Sequence, residues 1–511
     1  MKKPSDGINT DFTLLAMAMI ILLWVGYNKL SNLLPNYLFY PYLFVIGILV
    51  FLTLAFVISI KSKSGKERKK LKERFQELPF QLLSNSAGGI ELGRDCDLNI
   101  PICLPDSVRS RHVHVLGSTG SGKTESVILN FLRQDIKRGL GAIILDAKGD
   151  LSFLNTLKKW VPKEKLKVFD LSSSESLSYN PLLAGSQSEA AQRLFSSLVW
   201  SETYYKSKAF SALQIIFNQH FIQHNTNPRL SDVDHYLSDL EVFNTLQAQD
   251  KSTKPWADRE FKELSGLRDQ VRSLSTDHLS RILSPDGHGK NNSDMNFKDA
   301  YDGCVLYFRL QSLLSPQIVS TIGRLVINHL NFLAGTAHKG DDRVGGDAGT
   351  IGTSTKILPT YLDEFASFAC PEFADLISKA RSAGLALHFA HQSIGDLIEV
   401  SPGFLSRITD NSATKIIMRI NDPDTAEYFA RTFGTHIYQK ITQRVTNSTE
   451  SDDAEIIGEG SIRDAHQFRA PPDLFKTLPT GVGSVLIAHG YETPHGASSV
   501  FKVKFPALGS A

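Results

Sequence analysis

The octapeptide Gly117-Ser118-Thr119-Gly120-Ser121-Gly122-Lys123-Thr124 constrains the fold of this 511-residue chain more than any other feature. It fits G-x-x-x-x-G-K-[ST], which chance would produce in only roughly a few per cent of chains this long. Its surroundings are those the pattern requires. Residues 112–116 (HVHVL) form a short apolar run suited to a buried parallel strand. Residues 125–139 (ESVILNFLRQDIKRG) have helical spacing and stop at Gly139 and Gly141. Glycines let backbone N–H groups approach phosphate oxygens without a Cβ in the way. The helix N-terminus adds partial positive charge. In such a loop Lys123 neutralises the β- and γ-phosphates, and the Thr124 hydroxyl ligates Mg2+. The candidate ATP contacts are therefore Gly117 to Thr124, continuing to Glu125. The plain alternative is a glycine-rich turn with no ligand.

A hydrolysing site of this kind also needs a carboxylate at the end of a neighbouring strand. Residues 357–362 (ILPTYL) lead into Asp363-Glu364. In that arrangement Asp363 holds the magnesium shell and Glu364 polarises the attacking water. The competing explanation is an N-cap pair opening the next helix. Residues 141–145 (GAIIL) end in 146–150 (DAKGD), and residues 386–390 (ALHFA) end in His391-Gln392-Ser393. Gln392 is then placed to sense the γ-phosphate, unless it caps a helix or faces solvent. All four motifs fall at the carboxyl ends of strands, where open α/β sheets bind their ligands.

Strand–helix alternation over 111–171 and again over 303–435 predicts an α/β fold with a doubly wound, mainly parallel sheet. The first half of this nucleotide-binding domain is assigned to 76–185. Residues 297–511 supply the second half and a C-terminal segment. Between them, 186–296 has few strand-like runs and several helical ones, including 211–223 and 258–282, and reads as an all-α insertion. Residues 338–356 and 444–455 read as flexible loops.

The N-terminal region departs from the average composition. Residues 12–27 (FTLLAMAMIILLWVGY) carry no charge, and 37–60 is a run of 24 residues without one. A spanning helix needs roughly 20 such residues. A signal peptide would explain the first run, but a small-residue cleavage site is missing and a second run follows at once. Lysines and arginines crowd 61–74, Lys2 and Lys3 precede the first run, and the connecting loop offers only Lys29. By the positive-inside rule, residues 1–75 form a transmembrane hairpin with both ends in the cytoplasm. The basic run is a stop-transfer flank, with contact to anionic lipid as the other possibility. A formal net charge of +2 neither supports nor excludes a nucleic-acid partner. The four cysteines, Cys96, Cys103, Cys304 and Cys370, have no metal-ligand spacing and suggest no disulfide framework.

Taken in order, these segments resemble the coupling proteins of conjugative type IV secretion, the TraD/TraG type. The resembling stretches are GSTGSGKT (117–124), DAKGD (146–150), YNPL (179–182), YLDEFAS (361–367), RSAGLALHFAHQS (381–393), TKIIMRINDPDTAEYFA (414–430) and LPTGVGSVLIAHG (478–490). One departure is His391, where many relatives carry a small hydroxyl residue before the glutamine. The resemblance implies a RecA-like P-loop NTPase at the bacterial inner membrane. It further implies a homo-hexamer that engages DNA without sequence preference through a relaxase or relaxosome, and that passes it to the secretion channel components using ATP. Ring ATPases complete the site with an arginine from the next subunit. Arg381 is the first candidate and Arg407 the second, each set against an ordinary surface or ion-paired role. Two other functions compete. One is an FtsK-type DNA pump, against which the region after Phe433 is too short and irregular for a winged helix. The other is a docking platform for secreted proteins with ATP as an assembly switch, against which the acid pair stands.

Overall fold

The computed structural model describes residues 79, 82–83 and 88–507, except 201–202, 249–253, 286–293, 314, 340–356, 448–453 and 491–497. Both predicted spans lie outside these residues, as does nearly all of the loop predicted at 338–356. Among the described residues no helix is long and apolar enough to cross a membrane.

The main sheet is built from β1 (Gly89–Asp95), β2 (Pro101–Pro105), β3 (Val113–Leu116), β4 (Ala142–Asp146), β5 (Leu166–Asp170), β6 (Val305–Arg309), β7 (Leu358–Asp363), β8 (Leu385–His391), β9 (Thr414–Ile417), β12 (Val482–Ile487) and β13 (Ser499–Lys504). Strands β10 (Thr435–Asn447) and β11 (Ala454–Phe468) pair only with each other. The eleven strands run in the order β2-β1-β13-β12-β9-β3-β8-β7-β4-β6-β5. From β9 to β5 every neighbour is parallel. From β2 to β9 every pairing is antiparallel.

The parallel strands read as unbroken apolar runs because both faces are covered. Val113, Val115, Ala142 and Ile144 join one core with Phe131, Leu132, Phe153 and Leu157 of the helices Leu129–Lys137 and Leu151–Trp160. Leu116, Ile143 and Leu145 point the other way. They join a larger core with the helices Pro316–Lys339, Pro371–Lys379 and Pro423–Phe433. Pro359 is tolerated in the central strand β7 because pairing with β4 begins only at Thr360.

Between Gln187 and Leu283 every described element is helical. Ser186 opens the first of these helices with a reciprocal capping box to Glu189. The continuous helical run predicted at 258–282 is divided into Asp258–Lys262, Ser265–Leu274 and Asp277–Leu283. The expected looseness of 444–455 is corrected where that segment is described. Residues through Asn447 and from Ala454 belong to the β10–β11 ribbon, paired in register from Thr435↔Phe468 to Asn447↔Ala454 with a bulge at Gln443/Arg444. Among the described residues after Phe433 there is this ribbon, the short helix Pro472–Thr477 and strands β12 and β13, and no winged helix.

Candidate active site

The sheet carries the site on its carboxyl edge. Pairing puts Leu116 beside His391, and Asp146 beside Asp363 and Arg309. The chain leaving β3 enters the glycine loop, where Gly120 and Gly122 adopt φ of +74° and +99°. These are conformations that residues with a Cβ rarely adopt. A π-turn over Lys123–Ile128 then leads into the helix Leu129–Lys137.

Several distant segments hold the loop. Gly117 N–H donates to the His391 carbonyl at 3.3 Å, and Ser118 N–H to the Arg419 carbonyl at 2.8 Å. Gly481 N–H donates to the Ser121 carbonyl at 3.0 Å, and Thr480 Oγ1 to the Gly120 carbonyl at 3.2 Å. The Arg419 and Thr480–Gly481 contacts were missed at the level of sequence. Their only signal was that both lie inside stretches shared with the coupling proteins, at 414–430 and 478–490.

Lys123 is buried, and its Nζ donates to the loop's own Gly117 carbonyl at 2.6 Å. Burial lowers its pKa, which Glu364 and Asp363 partly restore. Thr124 Oγ1 donates to Asp363 Oδ2 at 2.7 Å. Burial pushes the Asp363 carboxyl up to about 6; the Thr124 hydrogen bond opposes this, and the charges of Asp146 and Glu364 add to it. Asp146 is raised too, chiefly by burial, although it accepts from Tyr307 Oη at 2.7 Å. Glu364 does not cap a helix through its side chain. It sits at φ +50°, a left-handed conformation rare for such a residue and often found where function demands it.

Gln392 joins the two halves. Its Oε1 accepts from Thr119 Oγ1 at 2.9 Å, and its Nε2 donates to the Glu364 carboxylate at 3.0 and 3.2 Å. The structure thus gathers Gly117 to Thr124, Asp363, Glu364 and Gln392. Glu125 follows as an exposed residue in the first helical turn. Arg381 is not part of this cluster. It lies in the turn Ala380–Ala383, ahead of the amino end of β8, where its charge is felt by His112. That is about 20 Å of strand away from Gln392, at roughly 3.3 Å per residue. Arg407 pairs with Asp375 at 2.6 Å on the surface.

These residues fit a magnesium nucleotide. Ser121 Oγ is buried without a partner inside the loop, and the space outside Gly120 is open. Asp146 and Glu364 add negative potential at the buried Asp363 carboxyl, which a bound cation would offset. Among the described residues no three or more acidic, His or Cys side chains converge to hold a metal by themselves. Mg2+ would therefore rest on Thr124 and Asp363 together with the phosphates of its nucleotide.

Fold and site define a RecA-like P-loop NTPase. Residues 358–470 match the family described as the TraM recognition site of TraD and TraG, and residues 90–300 the central domain of helicase HerA. The type 4 coupling protein DotL of Legionella pneumophila is 24% identical over 412 residues, covering 67% of this chain and 52% of that protein. The chain therefore spans about half the length of this curated relative. The conjugative coupling protein TrwBdeltaN70, unbound, superposes with a TM-score of 0.62 at 14% identity, covering 84% of this chain and 91% of that one. TrwB in complex with ADP and Mg2+ gives 0.56 at 15% identity, covering 80% and 88%. VirB4 of Thermoanaerobacter pseudethanolicus gives 0.51 at 15%, covering 83% and 98%. At such identities the structural likeness speaks to fold alone, while the sequence matches carry the relationship. The chain is a relative of the type IV secretion coupling proteins.

Proposed function

We propose that this chain is an ATP-hydrolysing motor of conjugative DNA transfer. In this proposal it is held in the bacterial inner membrane by the hairpin predicted in residues 1–75. It assembles as a homo-hexamer, receives a DNA–relaxase complex and drives the DNA into the type IV secretion channel. The observation that carries the hydrolytic part is the closure of the phosphate loop on the acid pair, Thr124 to Asp363 and Thr119 through Gln392 to Glu364. A pure binding site has no need of a carboxylate held beside a sensor amide. Lys123 neutralises phosphate charge, Glu364 takes the proton side of the attacking water, and Gln392 orients it. Bound Mg2+ supplies charge neutralisation to the transferring phosphoryl group. The resemblance to coupling proteins supports the transport part.

The test is ATP turnover by the full chain in detergent with Mg2+, with and without single-stranded DNA. Turnover lost in Lys123→Ala and Thr124→Ala, and raised by DNA in the wild type, is the expected outcome. Turnover unchanged in Lys123→Ala would place the chemistry elsewhere. Turnover indifferent to DNA, with no DNA bound, would move the cargo from DNA to protein.

A further inference from the structure

We infer that His391, held in one tautomer by the Ser393 carbonyl and paired with His114, is the positioning residue for Gln392. The reach of Gln392 from the phosphate loop to Glu364 would then be set by a buried histidine pair. This inference rests on the hydrolytic function proposed above.

The pair follows from strand register. Strands β3 and β8 are parallel with Leu116 opposite His391, so His114, two residues earlier on β3, lies on the same face. The rings meet edge to edge, with centroids 4.9 Å apart and 21° between planes, and the two Nε2 atoms are 2.6 Å apart. His391 Nδ1 lies 2.9 Å from the Ser393 carbonyl. A carbonyl only accepts, so Nδ1 carries the hydrogen and His391 Nε2 is bare. His114 must therefore donate from Nε2. Its Nδ1 is left as a bare acceptor, and that atom is buried without a partner. Both imidazoles are fully buried. Burial pushes His114 well below its ordinary value and His391 down to about 4, so one shared hydrogen joins two neutral rings.

The consequence for Gln392 is geometric. Gln392 is itself exposed, and its side chain is held by its hydrogen bonds to Thr119 and Glu364. The turn that bears it sets whether the amide can reach both. His391 closes this turn through Nδ1 to Ser393, and its carbonyl accepts from Gly117 at the start of the phosphate loop. One buried residue thus ties the sensor turn to the loop it senses, the kind of support that preorganised sites need. A small residue at 391 would leave the Ser393 carbonyl without this donor. It would also leave the His114 Nε2 hydrogen buried without an acceptor, a full desolvation cost.

The experiment is a double-mutant cycle on ATP turnover by the full chain, with thermal unfolding of each variant as the stability control. His391→Ala should lower kcat roughly ten- to a hundredfold, the scale on which supporting partners of a reacting group act. KM for ATP should change much less. His391→Ala in a Gln392→Ala background should cost almost nothing more, because the first residue acts through the second. Two milder variants separate the contacts. The amide of His391→Asn reaches the Nδ1 position and should keep most of the activity. The amide of His391→Gln reaches the Nε2 position, loses the Ser393 clasp and should resemble His391→Ala. If His391→Ala does not fold, the Asn and Gln variants decide. Multiplying defects in the double variant, or a Gln variant as active as the Asn variant, would overturn the inference and leave the hydrolytic function standing. Wild-type turnover no higher than that of Lys123→Ala would remove both.

Discussion

Gln392 donates to both oxygens of the Glu364 carboxylate, at 3.0 and 3.2 Å, from the end of the neighbouring strand. The carboxylate is thus aimed by a group that touches the phosphate loop through Thr119. Glu364→Gln should keep nucleotide binding, because Lys123, Thr124 and Asp363 are untouched. Turnover should fall by roughly two to four powers of ten, the usual worth of a general base. Nucleotide affinity and turnover, measured on the same preparation, check this. Loss of both together would make Glu364 a metal ligand or a structural residue.

Asp363 is expected to cost stability in the absence of nucleotide. Burial holds its folded pKa at about 6, above the ordinary value of 3.8. A raised acid contributes stability below its unfolded pKa and loses it as pH rises through the folded value. At pH 7 the buried carboxylate is ionised at a cost. Asp363→Asn should then raise the nucleotide-free thermal midpoint at pH 7, by about 1–3 kcal/mol in stability. The advantage should shrink at pH 5, while turnover is lost at both. Thr124 can follow the change by rotating its hydroxyl to accept. A variant that melts below wild type at pH 7 would refute the assignment.

A second buried charge works in the opposite sense. The Arg109 guanidinium is fully buried on one face of the sheet, donating to both oxygens of Asp135, to Tyr361 Oη and to His388 Nε2. Burial opposes its charge, but Asp135 and Tyr361 hold its pKa above the ordinary value. Asp135→Asn leaves that charge only the more distant Asp106, at 3.8 Å, and should cost about 3–5 kcal/mol in denaturant unfolding. The paired change Arg109→Met with Asp135→Leu should cost less than the single one. A single variant as stable as wild type would show that this network does not hold the sheet to its helix.

How far the sequence revealed these features depends on how each strand is buried. Strands β3, β4, β7 and β8 are covered on both faces, so they appear as apolar runs, and each ends in a motif. The antiparallel edge was not seen. Strand β13 is fully buried only at alternate positions, and β1 is broken by a bulge between Glu91 and Gly93. The ribbon was missed for a related reason. Its described residues on both strands, among them Ile437, Lys440, Ile462 and Arg463, are mostly exposed, so no face shows a period. Loop, acid pair and glutamine could be named from local pattern. The link from Thr119 to Gln392 and the histidine pair could not, because they join residues 273 and 277 positions apart.

Arg381 is exposed at the amino end of β8, while Lys123 and Glu364 lie at the carboxyl ends of the strands. Within one chain it is too far away to touch phosphate, so any catalytic role must be exerted on the nucleotide of a neighbouring subunit. Arg381→Ala should then abolish turnover with ATP affinity nearly intact, because such an arginine acts on transition-state charge. Mixing makes this decisive. Rings assembled from Arg381→Ala and Glu364→Gln subunits contain some interfaces with both residues intact, so part of the activity should return, although each variant alone is inactive. If co-assembly is demonstrated and mixing restores nothing, Arg381 does not act in trans. Arg407 would then be tested the same way. Freeing it requires breaking its ion pair with Asp375, an exposed pair worth roughly 1 kcal/mol or less, so Asp375→Asn should leave the fold intact while releasing the guanidinium.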